Sequence, residues 1–356
     1  MAGTSRALER GIAMDYKLEK KYPHHADVLE REYSDGGFSR GWAMHAKPVP
    51  ARIFDCHIHY NGGMEGTILE NIAADETMAK DQDVSGAMVF LHAYGNGWQP
   101  NLSEKSIMDQ FPYFTLKELE KRMAGFAESS HTWAAYLNHL SPEPDLVDAV
   151  ADMGCCCIKL HNAPVIENNI PADMWLSKEW SATFEAIQRR GLAVIKHVTQ
   201  RLSPSLYTGA GRNSYWKTGW QKGVTYTNED LLQSFLTCCR RFPEINFIGA
   251  HQLHLGWERL DELFTEYPNL YIDTSVGCQL KQYDHFYPHD KDYLRKMFIR
   301  HADRILFGTD NFWGCGDNGY KHINNLQHIR YVMALDLPQA VLDLVFYKNA
   351  ERLLGA

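Results

Sequence analysis

Residues 52–59 read Arg-Ile-Phe-Asp-Cys-His-Ile-His, an apolar run that ends on two histidines one residue apart. The run has the length and composition of a buried strand. Similar short runs recur down the chain at 86–91 (GAMVFL), 132–137 (TWAAYL), 156–160 (CCIKL), 192–197 (LAVIKH), 245–251 (INFIGAH), 269–274 (NLYIDT) and 304–309 (RILFGT). Longer amphipathic stretches separate them, with helices expected at 142–153, 178–190, 228–241, 257–267, 290–301 and 321–334. Ser177 and Asn228 stand where an N-cap belongs, Pro142 suits a first helical turn, and Gly154 and Gly191 follow two of the helices as C′ glycines do.

Unbroken strand–helix alternation predicts an α/β fold, a single closed (β/α)8 TIM barrel spanning residues 51–356. An open doubly wound sheet is the alternative. No Gly-x-Gly-x-x-Gly follows the first strand, so its nucleotide-binding form has little support. Residues 1–50 differ in character and read as an N-terminal extension. A charge-rich stretch from Asp15 to Tyr33 is broken by Ser34-Asp35-Gly36-Gly37, and Lys47-Pro48-Val49-Pro50 leads into the first strand.

In a parallel barrel, functional groups gather at the C-terminal ends of the strands. In order, those ends carry His57 and His59, His92, His139, His161, His197, His251 with His254, and Asp310. Side chains two apart on a strand share a face, so His57 and His59 can offer two imidazoles to one ion. His197 would add a third nitrogen and Asp310 a carboxylate. Three histidines and one aspartate leave a position for water, as catalytic rather than structural sites do. Taken singly, each has a blander reading: strand histidines with local hydrogen bonds, and a turn or N-cap aspartate.

Composition excludes other classes. The 356-residue chain carries 36 Lys+Arg against 44 Asp+Glu, a formal charge of −8, and no basic run, which argues against a nucleic-acid partner. No window of 18 apolar residues suggests a membrane span, and the N-terminus lacks the apolar core of a Sec-type leader. The eight cysteines show no Cys-x-x-Cys spacing and include the runs Cys155-Cys156-Cys157 and Cys238-Cys239, which suits free thiols in a reducing cytoplasm. The expected partner is a small molecule.

Several segments together resemble the amidohydrolase superfamily, in the branch that includes aminocarboxymuconate-semialdehyde decarboxylase and related hydrolases. They are Phe54-Asp55-Cys56-His57-Ile58-His59, Ile158-Lys159-Leu160-His161, His197, Gly249-Ala250-His251, Tyr267 to Ser275, Leu306-Phe307-Gly308-Thr309-Asp310 and Asn349 to Gly355, in the family's order. The resemblance implies one divalent metal, Zn or else Mn, held by His57, His59, His197 and Asp310. It implies a catalytic role for Asp310 and for His251, the latter unligated or on a second metal. A second ion bridged by a Lys159 carbamate is the lesser alternative, and a homodimer follows by analogy only. Two departures touch the pocket wall: Gln252-Leu253-His254 stand where the family has glycines, and Val198-Thr199-Gln200 where it has Thr or Ser and Gly.

The expected activity is metal-dependent hydrolysis of a small carboxylate-bearing substrate, aromatic or unsaturated, with Asp310 carrying the proton and His251 helping to stabilise the oxyanion. Non-hydrolytic decarboxylation of an aromatic or unsaturated acid is the alternative. His161, His254, Arg212 and Trp313 are the candidate substrate contacts. Arg212 lies in the long connection Gln200–Thr227, whose cations and aromatics suit such a substrate. Asp273 and Ser275 read as hydrogen-bonding structure, and the cysteine triplet as core at the bottom of the barrel.

Overall fold

The computed structural model describes residues 50, 52–63, 65–74, 84–95, 111–140, 142–199, 226–255, 257–275, 291–313, 329, 332–333 and 335–355. Within them the strands are β1 (Phe54–Tyr60), β2 (Gly86–Tyr94), β3 (Tyr113–Thr115), β4 (Thr132–Tyr136), β5 (Cys157–His161), β6 (Ala193–His197), β7 (Phe247–Gly249), β8 (Leu270–Asp273), β9 (Ile305–Leu306) and β10 (Asn311–Trp313). All pairings are parallel and run β10-β1-β2-β4-β5-β6-β7-β8-β9, with β3 added beside β2.

β9 and β10 are two pieces of one strand. β9 pairs with β8 and β10 with β1, while between them Cys56 N–H donates to Phe307 O at 2.9 Å and Asp310 N–H to His57 O at 2.9 Å. The sheet therefore closes on itself as an eight-stranded barrel, as expected. The run expected at 304–309 instead breaks at Gly308-Thr309-Asp310, where Asp310 takes a left-handed φ of 63°. A second tie spans this seam. The Asp55 carboxylate accepts from Thr309 N–H at 3.0 Å and from Thr309 Oγ–H at 2.5 Å.

Strand alternation sorts the chemistry. On β5, Cys157, Lys159 and His161 face inward while Ile158 and Leu160 face the helices; on β6, Ala193, Ile195 and His197 face inward. Phe54, Cys56, Met88, Cys157, Ile195 and Ile248 fill the barrel beneath the inward histidines. The outer faces pack on helices α1 (Pro144–Asp152), α2 (Lys178–Arg189), α3 (Asn228–Arg241), α4 (Trp257–Glu266) and α5 (Lys291–Arg300). Cys155, Cys157, Cys238 and Cys239 are buried thiols in these cores, and Cys156 is half-buried.

The cap residues refine the sequence reading. Ser177 caps α2 through Trp180 N–H at 3.2 Å, and Gly154 and Gly191 adopt left-handed φ after α1 and α2. The N-cap of α3 is Thr227 rather than Asn228. Its hydroxyl accepts from Asp230 N–H at 3.3 Å while the Asp230 carboxylate accepts from Thr227 N–H at 2.6 Å. Pro144, not Pro142, opens α1, because Glu143 is its N-cap. Residues 1–49 and most of 321–334 lie outside the described set.

Lys196 on β6 points outward and is buried, its Nζ 4.0 Å from the centroid of the Trp175 ring and without a hydrogen-bond partner among the described residues. Burial lowers its pKa from 10.5 to about 7. Between those values the unfolded chain binds the extra proton, so this group's contribution to stability rises with pH through that window and is lowest below it. Lys196→Met should therefore stabilise the fold by about 2–4 kcal/mol at pH 6 and by less at pH 9, as read by urea denaturation at both pH values. Asn349 closes the bottom of the seam, its Nδ2–H groups donating to Ala302 O at 2.7 Å and Ile305 O at 2.8 Å. Asn349→Ala orphans two buried carbonyls and should cost about 2–4 kcal/mol in the same assay.

Candidate metal centre

Pairing between β1 and β2 slips between Asp55 and Ile58, yet His57 and His59 both reach the inner face, each ring about 5 Å from Phe90 (4.8 and 5.1 Å). The left-handed turn at the break in the eighth strand brings Asp310 against them. Its Oδ1 lies 3.0 Å from His57 Nε2 and 3.2 Å from His59 Nε2. A tetrahedral ion with ligands at 2.0–2.1 Å holds them about 3.3 Å apart, so the spacing suits a divalent cation. Among the described residues, the set whose ligand atoms all lie within 4.8 Å of one another is His57, His251 and Asp310; of the expected ligands, His59 meets this set through Asp310 and His197 through His251.

Behind this group stands Asp273 at the end of β8. Oδ2 accepts the His57 Nδ1 proton at 2.6 Å, and Oδ1 accepts from His251 N–H at 2.7 Å, Ser275 N–H at 3.1 Å and Ser275 Oγ–H at 2.6 Å. Ser275 Oγ is 3.0 Å from His251 Nδ1, and His251 Nε2 is 3.0 Å from His197 Nδ1. His161 stacks on His197 with centroids 4.1 Å apart, and its Nδ1 accepts from Ala163 N–H at 2.9 Å.

The segment after β7 departs furthest from expectation. His251, Gln252, Leu253 and His254 all have φ between 52° and 58°, a left-handed turn made of non-glycine residues. It lays the His254 ring parallel to His251 at 5.2 Å. His254 Nδ1–H donates to Thr199 O at 2.8 Å and the Thr199 hydroxyl to Leu253 O at 2.5 Å, so Gln252-Leu253-His254 and Val198-Thr199 lock together. The two stretches in which the sequence departs from the resembled pattern are partners.

Charge follows from burial. Burial above all pushes His161, His197 and His251 well below the ordinary histidine value. His59 is lowered to about 4 by burial, which Asp310 only partly offsets. These are neutral imidazoles at pH 7, the form that ligates a metal. His57 is the exception. Burial and Lys159 press it down, but Asp310 and Asp273 on either side outweigh them and raise it. Burial would raise Asp310, but His57, His59 and His251 hold it well below the carboxylate range.

Other expected residues fall unevenly. Lys159 is buried with Nζ 3.3 Å from His57 Nε2, and burial lowers its pKa to about 8. Trp313 turns away from the imidazoles, its ring meeting His131 edge-on at 5.5 Å, because Tyr60↔Trp313 is an outward-facing register pair. Phe312 takes the inward position instead, stacked on His59 at 5.5 Å beside Phe111 at 4.9 Å. His92, read as bland in the sequence, stacks on Tyr136 at 4.1 Å and 5.4 Å from Phe111, with a buried Nε2 that has no hydrogen-bond partner among the described residues. His139 is also buried. Arg212 and residues 200–225 lie outside the described residues.

With this geometry in hand, comparison is informative. The sequence pattern of the family described as amidohydrolase matches residues 131–356, more than half of the chain. The chain belongs to the amidohydrolase family. Among solved structures, 5-carboxyvanillate decarboxylase from Sphingomonas paucimobilis aligns with TM-score 0.54 at 12% identity, covering 86% of this chain and 99% of that one. An uncharacterised TIM-barrel protein from Bordetella bronchiseptica aligns with TM-score 0.51 at 14% identity, covering 85% and 98%. At that identity the likeness concerns the fold. No curated protein matches the chain.

Amidohydrolase membership makes a divalent ion the expected cofactor, and the imidazole–carboxylate group at the barrel mouth could hold one. Its precision depends on the left-handed turn, which packs Leu253 back over Gly249. A Cβ on Gly249 would lie 2.4 Å from the Leu253 side chain. Gly249→Ala should destabilise the protein by about 1–3 kcal/mol. Adding Leu253→Ala should recover part of that loss, so the double variant should be more stable than the summed single effects by at least about 1 kcal/mol.

Proposed function

We propose that this amidohydrolase is a metal-dependent hydrolase acting on a small carboxylate-bearing substrate. The proposed ligands are His57, His59, His197 and Asp310, and the expected ion is zinc, with manganese the next choice. The observation that carries the reading is the convergence of His57 Nε2 and His59 Nε2 on Asp310 Oδ1 at 3.0 and 3.2 Å. A bound divalent ion supplies Lewis acidity and lowers the pKa of water beside it.

The chain's own residues would then do the following. Asp310, ionised at neutral pH, takes the proton of the attacking water on its carboxylate and returns it to the leaving group. His57 is kept in place by Asp273 and cannot rotate away without losing that bond. Phe111, Phe312 and His92 give the mouth a flat aromatic side next to His59, which supports a planar or unsaturated substrate. The closely packed imidazoles keep bulk water out of the floor.

That aromatic side also favours a second reading, non-hydrolytic decarboxylation of an aromatic or unsaturated acid, the activity named for the similar Sphingomonas enzyme. The two readings separate by product. Hydrolysis in ¹⁸O-labelled water places the label in a product, whereas decarboxylation releases CO2 and leaves the organic product unlabelled. Asp310→Asn should lower turnover at least about 10³-fold in either case, and survival of activity would remove Asp310 as the proton carrier. Elemental analysis of protein purified without chelator or histidine tag should find about one Zn or Mn per chain. Two per chain would bring a Lys159 carbamate into the site, and a chain that takes up none would overturn the proposal.

A further inference from the structure

We infer that Ser275 is a positioning residue that sets the tautomers of His251 and His197 and so decides which nitrogen of His197 carries the lone pair available to an ion. The inference rests on the metal-site reading above. Neither residue type nor strand position marks Ser275 as functional, and its side chain is fully buried behind the imidazoles.

The argument is a count of protons. Ser275 Oγ has one hydrogen, and Asp273 Oδ1 at 2.6 Å is a carboxylate oxygen with none to give, so that hydrogen lies between them. Asp273 Oδ2 holds the His57 Nδ1 proton in the same way at 2.6 Å. The serine oxygen is then an acceptor towards two imidazole nitrogens, His251 Nδ1 at 3.0 Å and His57 Nδ1 at 3.2 Å, and because the His57 proton is directed at Asp273 Oδ2 the hydrogen it accepts comes from His251. That places the proton of neutral His251 on Nδ1 and a lone pair on Nε2. His251 Nε2 in turn faces His197 Nδ1 at 3.0 Å, a contact that needs one hydrogen. His197 must supply it, and its own lone pair is left on Nε2.

The polarity runs one way from Asp273 through Ser275 and His251 to His197. Two backbone donors on Asp273 Oδ1, from His251 and Ser275, prevent the carboxylate from turning to reverse it. A consequence concerns His251 itself. With Nε2 as an acceptor, it takes part as a hydrogen-bond or proton acceptor, not as the oxyanion donor expected from the sequence. Alanine at 275 would remove the acceptor for His251 Nδ1–H, and both imidazoles could then invert, moving the His197 lone pair from Nε2 to Nδ1.

Long-range ¹H–¹⁵N correlation spectra of metal-free, ¹⁵N-histidine-labelled protein read each tautomer directly, with His251 and His197 assigned by signal loss in His251→Gln and His197→Gln. The expected result is the Nδ1–H tautomer at both positions in the unaltered protein. In Ser275→Ala the Nε2–H form should appear at both, and zinc affinity measured against a competing chelator should fall about 10–100-fold. Ser275→Thr, which keeps the hydroxyl, should restore most of that loss. An Nε2–H His251 in the unaltered protein overturns the inference, as does Ser275→Ala with tautomers unchanged and zinc affinity within twofold. Failure of the unaltered chain to bind zinc would defeat the metal-site reading instead, while the metal-free spectra would still decide the role of Ser275.

Discussion

One buried carboxylate holds the centre together. Asp273 has no exposed surface, and its two oxygens are met by His57 Nδ1–H, Ser275 Oγ–H and the backbone N–H groups of His251 and Ser275. A buried carboxylate is costly unless donors surround it. Here the donors come from the first strand, from the turn after the seventh, and from Asp273's own strand end. Satisfying Asp273 therefore fixes three parts of the barrel mouth relative to one another. Gly308 permits this closeness, since a Cβ there would stand 3.1 Å from His57 Cβ and 3.3 Å from Asp273 Cβ.

The same rigidity explains how unfavourable backbone is tolerated beside it. Left-handed conformation costs a non-glycine residue about 1–2 kcal/mol. Four such residues in succession, with Asp310 as a fifth nearby, amount to a sizeable local penalty. Backbone strain of this kind persists where surrounding contacts over-determine it, and it clusters at sites whose geometry matters. The contacts are visible: His251 N–H on Asp273, Leu253 O on Thr199, and His254 Nδ1–H on Thr199 O.

Much of this was legible in the sequence. The apolar runs located the barrel strands to within a few residues, and the alternation rule put His57 with His59 and Lys159 with His161 on common faces. Caps were readable where one short polar residue dominates, as at Ser177. The break in the eighth strand was not, because Phe307-Gly308-Thr309-Asp310 has nothing to distinguish a continuous strand from two pieces joined by a left-handed residue. Trp313 follows Asp310 closely and is expected at the mouth on that ground, but one step of register decides orientation, and Phe312 occupies that place. The helix at Leu116–Arg122 went unread although Thr115 and Glu118 form a complete capping box ahead of it. His92 stands at a strand end in the sequence, but its ring neighbours Tyr136 and Phe111 come from other elements and leave no local signal. The left-handed turn carries no local signal, since Gln, Leu and His are ordinary helix or strand residues held there by tertiary contacts.

The split last strand also governs when the site can exist during folding. Asp55 and Thr309, which tie the seam shut, are 254 positions apart. Their union pays the entropy of closing nearly the whole chain, and such non-local contacts slow folding. On the ribosome, β1 emerges long before its last neighbour, so His57 and His59 must wait for Asp310 with a sheet edge still open. Until then the first strand offers unpaired backbone to other chains, and the nascent protein is most vulnerable to aggregation just before the barrel closes.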